Sequence, residues 1–309
     1  MSDASLAALI AEELAVPVSP RVREVAGALA GRYPGAARAV LFYGSCLRSA
    51  DLDGQMLDFY LIVSSYEAAY GRRWLAAANR LIPPNVFPFE HEGLAAKYAV
   101  LSEEDFLRLN RPQSISVSVW ARFAQPSRLV WAADSEAEAA CVRAIEGAAP
   151  TLLAAARPLL REDTLDDPLD LWRKAFALTY SAELRAERQE RAASVVDFDP
   201  ERYRRFTGPA VDAAGIGLLD RELVLASVSP KRRRQAERLW AKRRRAGKAL
   251  SVLRLVKASG TFAGGIDYLA WKINRHAGTE IRIAPWQRRW PLLGAVTLLP
   301  RLLKRGAIR

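Results

Sequence analysis

The stretch Val40 to Val63, VLFYGSCLRSADLDGQMLDFYLIV, decides how this chain is read. An apolar run, Val40 to Tyr43, stops at Gly44-Ser45, and residues of loop character follow. A second apolar run, Met56 to Val63, carries a single acid, Asp58. Both runs are short and rich in β-branched and aromatic residues, which predicts two strands. Side chains alternate along a strand, so Asp58 and Tyr60 fall on the same face.

A Gly-Ser turn between such strands has a specific chemical use. Backbone N–H groups in a tight glycine turn cradle phosphate oxygens without adding a negative side chain. Glycine lets a phosphate approach the backbone, and serine adds a hydroxyl donor. An acid on the adjacent strand, on the same side, supplies one of the carboxylate oxygens that Mg²⁺ prefers. This is the layout that nucleotidyltransferases of the polymerase-beta type share. Most of those enzymes carry two acids, as Asp-x-Asp or Asp-x-Glu, whereas the second position here is Tyr60. Either another acid completes the metal site, with Glu90, Glu92, Asp51, Asp53 and Asp134 as candidates among which the sequence does not choose, or the site is inactive and the chain a non-catalytic nucleotide-binding protein on the same fold, or the family differs.

A narrower resemblance runs along the chain. FYGSCLRS and QMLDFYLIV resemble the Tyr-Gly-Ser and Met-x-Asp-Phe blocks of the mitochondrial-type phosphatidate cytidylyltransferases, also called translocator assembly and maintenance proteins. That family has one acid at this point, followed by apolar residues. AAKYAVLSEEDFL, SVWARFAQP and VKASGTFAGGIDYLAWKI resemble three later blocks of the family, in the same order, over about residues 40 to 275. Cys46-Leu47 and Ala99 depart from the family pattern. The resemblance implies an α/β nucleotidyltransferase domain with a mixed sheet over residues 1–148. A mostly helical, winged-helix-like domain over 149–230 and a basic region over 231–309 follow it. It implies transfer of CMP from CTP to phosphatidate with Mg²⁺, giving CDP-diacylglycerol and pyrophosphate. In those terms Asp58 holds the metal and Lys97 neutralises phosphate charge, both as catalytic residues. Tyr43, Gly44, Ser45, Lys97 and Arg122 bind the nucleotide. Lys257, Thr261, Tyr268 and Lys272 meet the lipid phosphate.

Composition sets the frame. The chain has 309 residues, half of them hydrophobic and 26% charged, as in a globular protein of more than one domain. Two cysteines (Cys46, Cys141) and two histidines (His91, His276) do not make a zinc spacing. The net charge is +12, but residues 231–309 hold 21 Lys/Arg and 3 Asp/Glu, a net of +18. The remaining 25 basic and 31 acidic residues leave a net of −6. Such asymmetry points to an anionic membrane surface or a nucleic acid as partner. The opening MSDASLAALIAEEL lacks the basic-then-apolar pattern of a secretory signal and the arginines of a mitochondrial transit peptide. The expectation is a bacterial cytoplasmic protein, peripheral on the inner membrane.

Taken in order, helices are expected over Ser5–Leu14 and Arg21–Arg32, and a helix over Tyr66–Leu81. An irregular segment is expected over Ile82–Gly93, which has three prolines. A strand over Leu94–Leu101, a short helix after Ser102, a strand over Arg128–Ala132 and a helix over Ser135–Glu146 follow. Ser114 to Phe123 reads as strand or helix. Beyond Ala149, helices are expected over Thr151–Leu160, Leu169–Gln189 and Pro200–Val211, with a short strand in Glu222–Ser227. KRRRQAERLWAKRRRAGK (231–248) is the densest basic run, read as a solvated helix face or as a surface for an anionic membrane or a nucleic acid. Ser259, Gly260, Thr261, Gly264 and Gly265 read as a glycine-rich turn between basic helices. The apolar stretch Pro291–Pro300 is too short to span a bilayer. With Trp286, Arg288, Arg289 and Trp290 before it, that end has the composition of an interfacial segment.

Overall fold

The computed structural model describes residues 4–48, 52–160, 167–183, 190–216, 218–219, 224–225, 228–261 and 283–289. In chain order the elements are α1 (Leu6–Ala15), α2 (Pro20–Gly31), β1 (Ala37–Tyr43), β2 (Met56–Val63), α3 (Tyr66–Ala69) and α4 (Arg73–Leu81). Next come β3 (Asn85–His91), β4 (Leu94–Ser102), α5 (Glu103–Leu109), α6 (Trp120–Phe123), β5 (Ser127–Ala132) and α7 (Ser135–Ile145). The remainder is α8 (Ala148–Ala156), α9 (Pro168–Ala182), α10 (Glu190–Asp197), α11 (Pro200–Ala213), β6 (Leu218–Leu219), β7 (Val224–Leu225), α12 (Pro230–Thr261) and α13 (Pro285–Arg289).

The first five strands form one mixed sheet in the order β3-β4-β2-β1-β5. β1 runs antiparallel to β2, and β2 runs parallel to β4. The register sets Asp58 opposite Tyr43 on one side and Lys97 on the other. Period-two alternation then sorts the strands' side chains between two cores. Val40, Phe42, Leu57, Phe59, Leu61 and Tyr98 pack with α2 and α3 on one face. Leu41, Tyr43, Tyr60, Ile62, Ala99 and Leu101 pack on the other with α1, α5 to α9, α11 and Trp240 of α12. This second core crosses residues 148/149 and 230/231, so helical residues on both sides of the expected boundaries share one apolar interior with the sheet.

The mixed α/β architecture agrees with the sequence reading, and local chemistry explains the departures. Asn85–His91, expected to be irregular, is strand β3. It lies at the sheet edge, where Pro88, opposite Lys97, has no need of an N–H. The helix expected over Tyr66–Leu81 is broken into α3 and α4 by Tyr70, which is extended, and Gly71. Ser114–Val119 is neither helix nor strand and leads into the single turn α6. The basic run does not stop in a glycine turn: α12 continues through Ser259, Gly260 and Thr261. Gly264 and Gly265 lie outside the described residues, as do Leu184 to Gln189.

α12 is also not solvated on every side. Trp240 is fully buried and Arg243 is 2% exposed, its guanidinium lying over the rings of Trp120 and Trp240. At Gly247 a Cβ would collide with the carbonyl oxygen of Ala182, so the helix closes directly on the end of α9. Further along, Arg254 Nε donates to the Pro83 carbonyl at 2.8 Å, and the Lys257 ammonium donates to the carbonyls of Ile82 and Pro84. α12 thereby straps the segment leading into β3.

One helical stretch among the described residues, Ser135–Leu159, is long and apolar enough to cross a membrane. More than half of it is buried in the protein, where α7 and α8 line the second core.

Candidate functional site

The site forms where β1 ends. Gly44 takes φ +95°, a conformation that glycine adopts without the clash a side chain would bring. The chain then makes one 3₁₀ turn, Ser45–Arg48, with Leu47 N–H donating to the Gly44 carbonyl at 3.3 Å. Ser45 is exposed at the mouth, while Cys46, where the family pattern has glycine, is buried in the first core. Its thiol lies 3.4 Å from both Gln55 Oε1 and the Met56 carbonyl.

Asp58 lies directly under this turn. A Cβ on Gly44 would sit 3.1 Å from Asp58 Oδ2, so the missing side chain is what leaves the carboxylate open from above. Lys97 Nζ stands 3.1 Å from Asp58 Oδ1. The Lys97 side chain is 40% exposed and that of Asp58 18%, so the pair opens to solvent on the lysine side. Arg122 stacks its guanidinium over the Tyr43 ring, 4.8 Å from its centre. Burial opposes the charge on Arg122, but Tyr43, Tyr60, Asp58 and Glu183 outweigh it and hold its pKa above the ordinary arginine value. Five of the residues expected from sequence, Tyr43, Gly44, Asp58, Lys97 and Arg122, thus converge, with Ser45 beside them.

Tyr60 explains the absent second acid. It is 5% exposed, with its ring 5.1 Å from that of Tyr43 and 5.0 Å from that of Phe123. Burial pushes its hydroxyl pKa up. A carboxylate there would sit among aromatic rings. The other candidate acids are engaged or distant. Asp53 pairs with Arg21 at 3.0 Å, and Asp134 pairs with Arg38 and caps α7. Glu90 is exposed on the edge strand opposite Ala95, Glu92 is in the β3–β4 turn, and Asp51 is outside the described residues. No group of three or more His, Cys, Asp or Glu side chains suited to a metal occurs among the described residues. One carboxylate beside an open turn fits a Mg²⁺ that brings phosphate and water oxygens with it, and does not fit an all-protein cage.

Lys257 is not free in the cleft. The residue is 9% exposed, and its ammonium is held by the Ile82 and Pro84 carbonyls. Burial, and then Arg254, lower its pKa to about 7. Thr261 ends α12, and Tyr268 and Lys272 lie outside the described residues. Trp286, in α13, is 49% exposed and Arg289 is exposed. Arg288 shares that helix, and Trp290 lies outside the described residues.

The sequence reading missed Arg254, Ser116 and Ser118. Arg254 Nη2 donates to Ser116 Oγ at 3.2 Å, and Ser116 Oγ lies 2.9 Å from Ser118 Oγ. A signal existed for Arg254. Trp240, Arg243, Gly247, Arg254 and Lys257 recur at helical spacings of three, four and seven, a stripe that the density of other basic residues conceals.

No protein-family model matches the chain, and no curated protein matches it. Among solved structures, a nucleotidyltransferase-like protein from Exiguobacterium sibiricum is similar at 12% identity, with 93% of each chain covered and a TM-score of 0.28. A superposition that loose leaves the chemistry to be read from the residues themselves.

Proposed function

We propose that this chain is a nucleotidyltransferase that moves CMP from CTP to phosphatidate, forming CDP-diacylglycerol and pyrophosphate. One observation carries the reading: a carboxylate, Asp58, open beneath a positive-φ glycine and flanked by Lys97 and Arg122. The turn offers backbone N–H groups and the Ser45 hydroxyl to the leaving phosphates, with Lys97 within reach as a point cation. Mg²⁺ arriving with the triphosphate would be held by Asp58 and would stabilise charge developing at the α-phosphorus. A phosphate oxygen of the acceptor attacks that phosphorus in line, and the bond to the bridging oxygen of pyrophosphate breaks.

The lipid acceptor is supported by the block resemblance and by the positive last quarter of the chain. It fits a protein working peripherally on the cytoplasmic face of an anionic membrane. The basic face of α12, with Lys231, Arg232, Arg234, Arg238, Lys242, Arg245 and Lys248 exposed, equally suits an RNA acceptor, which is the second reading. The test is incubation of the purified protein with α-labelled CTP, Mg²⁺ and phosphatidate vesicles, and in parallel with RNA. Label entering lipid supports the first reading and label entering RNA the second. Label in neither removes both.

A further inference from the structure

Among the described residues, the cations around Asp58 outnumber the acids that act on them. Lys97, Arg122, Arg254 and Lys257 supply four cations. The acids that act on them are Asp58, paired with Lys97, and Glu183, which acts on Arg122 and Arg254. Even with Lys257 neutral, one positive charge among the described residues is left over, in surroundings where burial lowers the pKa of Arg254. Unbalanced charge out of water is costly, and an anionic ligand relieves it.

The place of that excess is defined. Arg122 lies over Tyr43, Tyr43 packs on Tyr60, and Arg122 and Arg254 both act on the Tyr60 hydroxyl. Ser116 and Ser118 precede Arg122 on one segment, and Ser116 accepts from Arg254. Arg254, Ser116 and Ser118 therefore form one hydrogen-bonded chain, with Arg122 four residues after Ser118 on the same segment, and Arg254 stands toward the Tyr60 end of β2, away from the Gly44 turn. In-line transfer needs the acceptor oxygen opposite the leaving pyrophosphate. If the turn holds the leaving phosphates, the acceptor belongs on the arginine side.

We propose that Arg122 and Arg254, with Ser116 and Ser118, form a second anion subsite that binds the phosphate monoester of the acceptor. This rests on the nucleotidyl-transfer reading for its direction but is testable without turnover. Guanidinium groups suit a phosphate monoester because each can donate two parallel bonds to its oxygens. The monoester could come from a soluble molecule or from a lipid headgroup.

The experiment is calorimetric titration of the full-length protein with glycerol 3-phosphate, with phosphatidate vesicles and, separately, with CTP. Arg254→Gln should weaken phosphate-monoester binding about tenfold or more, the loss of one charge-assisted contact, and leave CTP affinity within about twofold. Ser116→Ala, which keeps the α12 strap, should weaken monoester binding by about threefold and serves if Arg254→Gln does not fold. Binding of glycerol 3-phosphate in this pattern assigns a soluble-type monoester, and the pattern on vesicles alone assigns a lipid headgroup. The subsite is overturned if the wild-type protein binds neither probe, if both variants bind them unchanged, or if CTP displaces the monoester one for one. Arg254-dependent binding without any transfer of label would keep the subsite and remove the nucleotidyl-transfer reading.

Discussion

At Gly44 the backbone and the chemistry meet in one residue. Its φ of +95° disfavours any side chain, and a Cβ would press on Asp58 Oδ2 at 3.1 Å. Gly44→Val is expected to abolish measurable CTP binding in calorimetry, because a β-branched side chain resists this φ and fills the space over the carboxylate. Unchanged affinity would remove the phosphate-cradle role. Ser45→Ala, at an exposed position, should weaken binding by only about 1 kcal/mol, the net worth of one hydrogen bond. Asp58→Asn keeps the shape but removes the charge. Transfer should fall about a thousandfold or more, with the thermal melt little changed. Near-normal turnover would sink the assignment. This much was legible from sequence, because strand alternation and a glycine at a strand end are local properties. The fate of position 60 was not. Alternation places Tyr60 on the Asp58 face, but only the packed structure shows Tyr43 and Phe123 closing over it. Residue type marked the departure, and tertiary packing gives its reason.

The elements that sequence misjudged are those whose character depends on a neighbour. β3 contains a proline and forms a strand because it lies at an edge; α12 is densely basic yet contributes buried groups because α9 and the β3 approach lie against it. Gly247 is the tightest of these contacts. Gly247→Ala would raise helix propensity by about 1 kcal/mol in an isolated helix. Here it should destabilise the protein by about 1–3 kcal/mol, the usual cost of overpacking, because the Ala182 backbone must move. Denaturant melts of the pair decide the sign, and a stabilised variant would show that α12 does not close on α9. Lys257 gives the same contact a pH signature. Burial, then Arg254, lower its pKa to about 7, against about 10.4 for a free lysine. Between those values the unfolded chain binds a proton that the folded chain does not, so this group makes stability rise with pH. Below about pH 7 both states are protonated and the slope disappears. The comparison to make is stability at pH 7, 8 and 9 for the wild type and for Lys257→Met. The wild-type curve should rise relative to the variant by up to about 1 kcal/mol per pH unit. Parallel curves would mean that the ammonium is solvated.

Over the whole molecule the charge separates along the sequence more sharply than in space. Residues 1–230 carry a net −6 and residues 231–309 a net +18, yet α12 lies against the sheet rather than trailing from it. Part of the positive charge is therefore displayed on the folded body, at Lys231, Arg232, Arg234, Arg238, Lys242, Arg245 and Lys248. Another part lies at and beyond α13, beside Trp286 and the apolar stretch Pro291–Pro300. These two parts should attach to an anionic bilayer by different forces. Each Lys or Arg near the surface contributes about 1 kcal/mol, and that contribution falls as salt shortens the Debye length from about 10 Å at 0.1 M to about 3 Å at 1 M. Insertion of tryptophan and leucine side chains persists in salt. Flotation with phosphatidate vesicles should therefore show full binding at low salt and partial binding at 1 M. A chain lacking Trp286 to Arg309 should bind weakly at low salt through α12 and not at all at 1 M. CTP affinity should stay unchanged in that truncated chain, because Gly44, Ser45, Asp58 and Lys97 all precede the deletion. Salt-resistant flotation of the truncated chain would place the apolar anchor elsewhere. Loss of vesicle binding to competing RNA would shift the acceptor reading from lipid to nucleic acid.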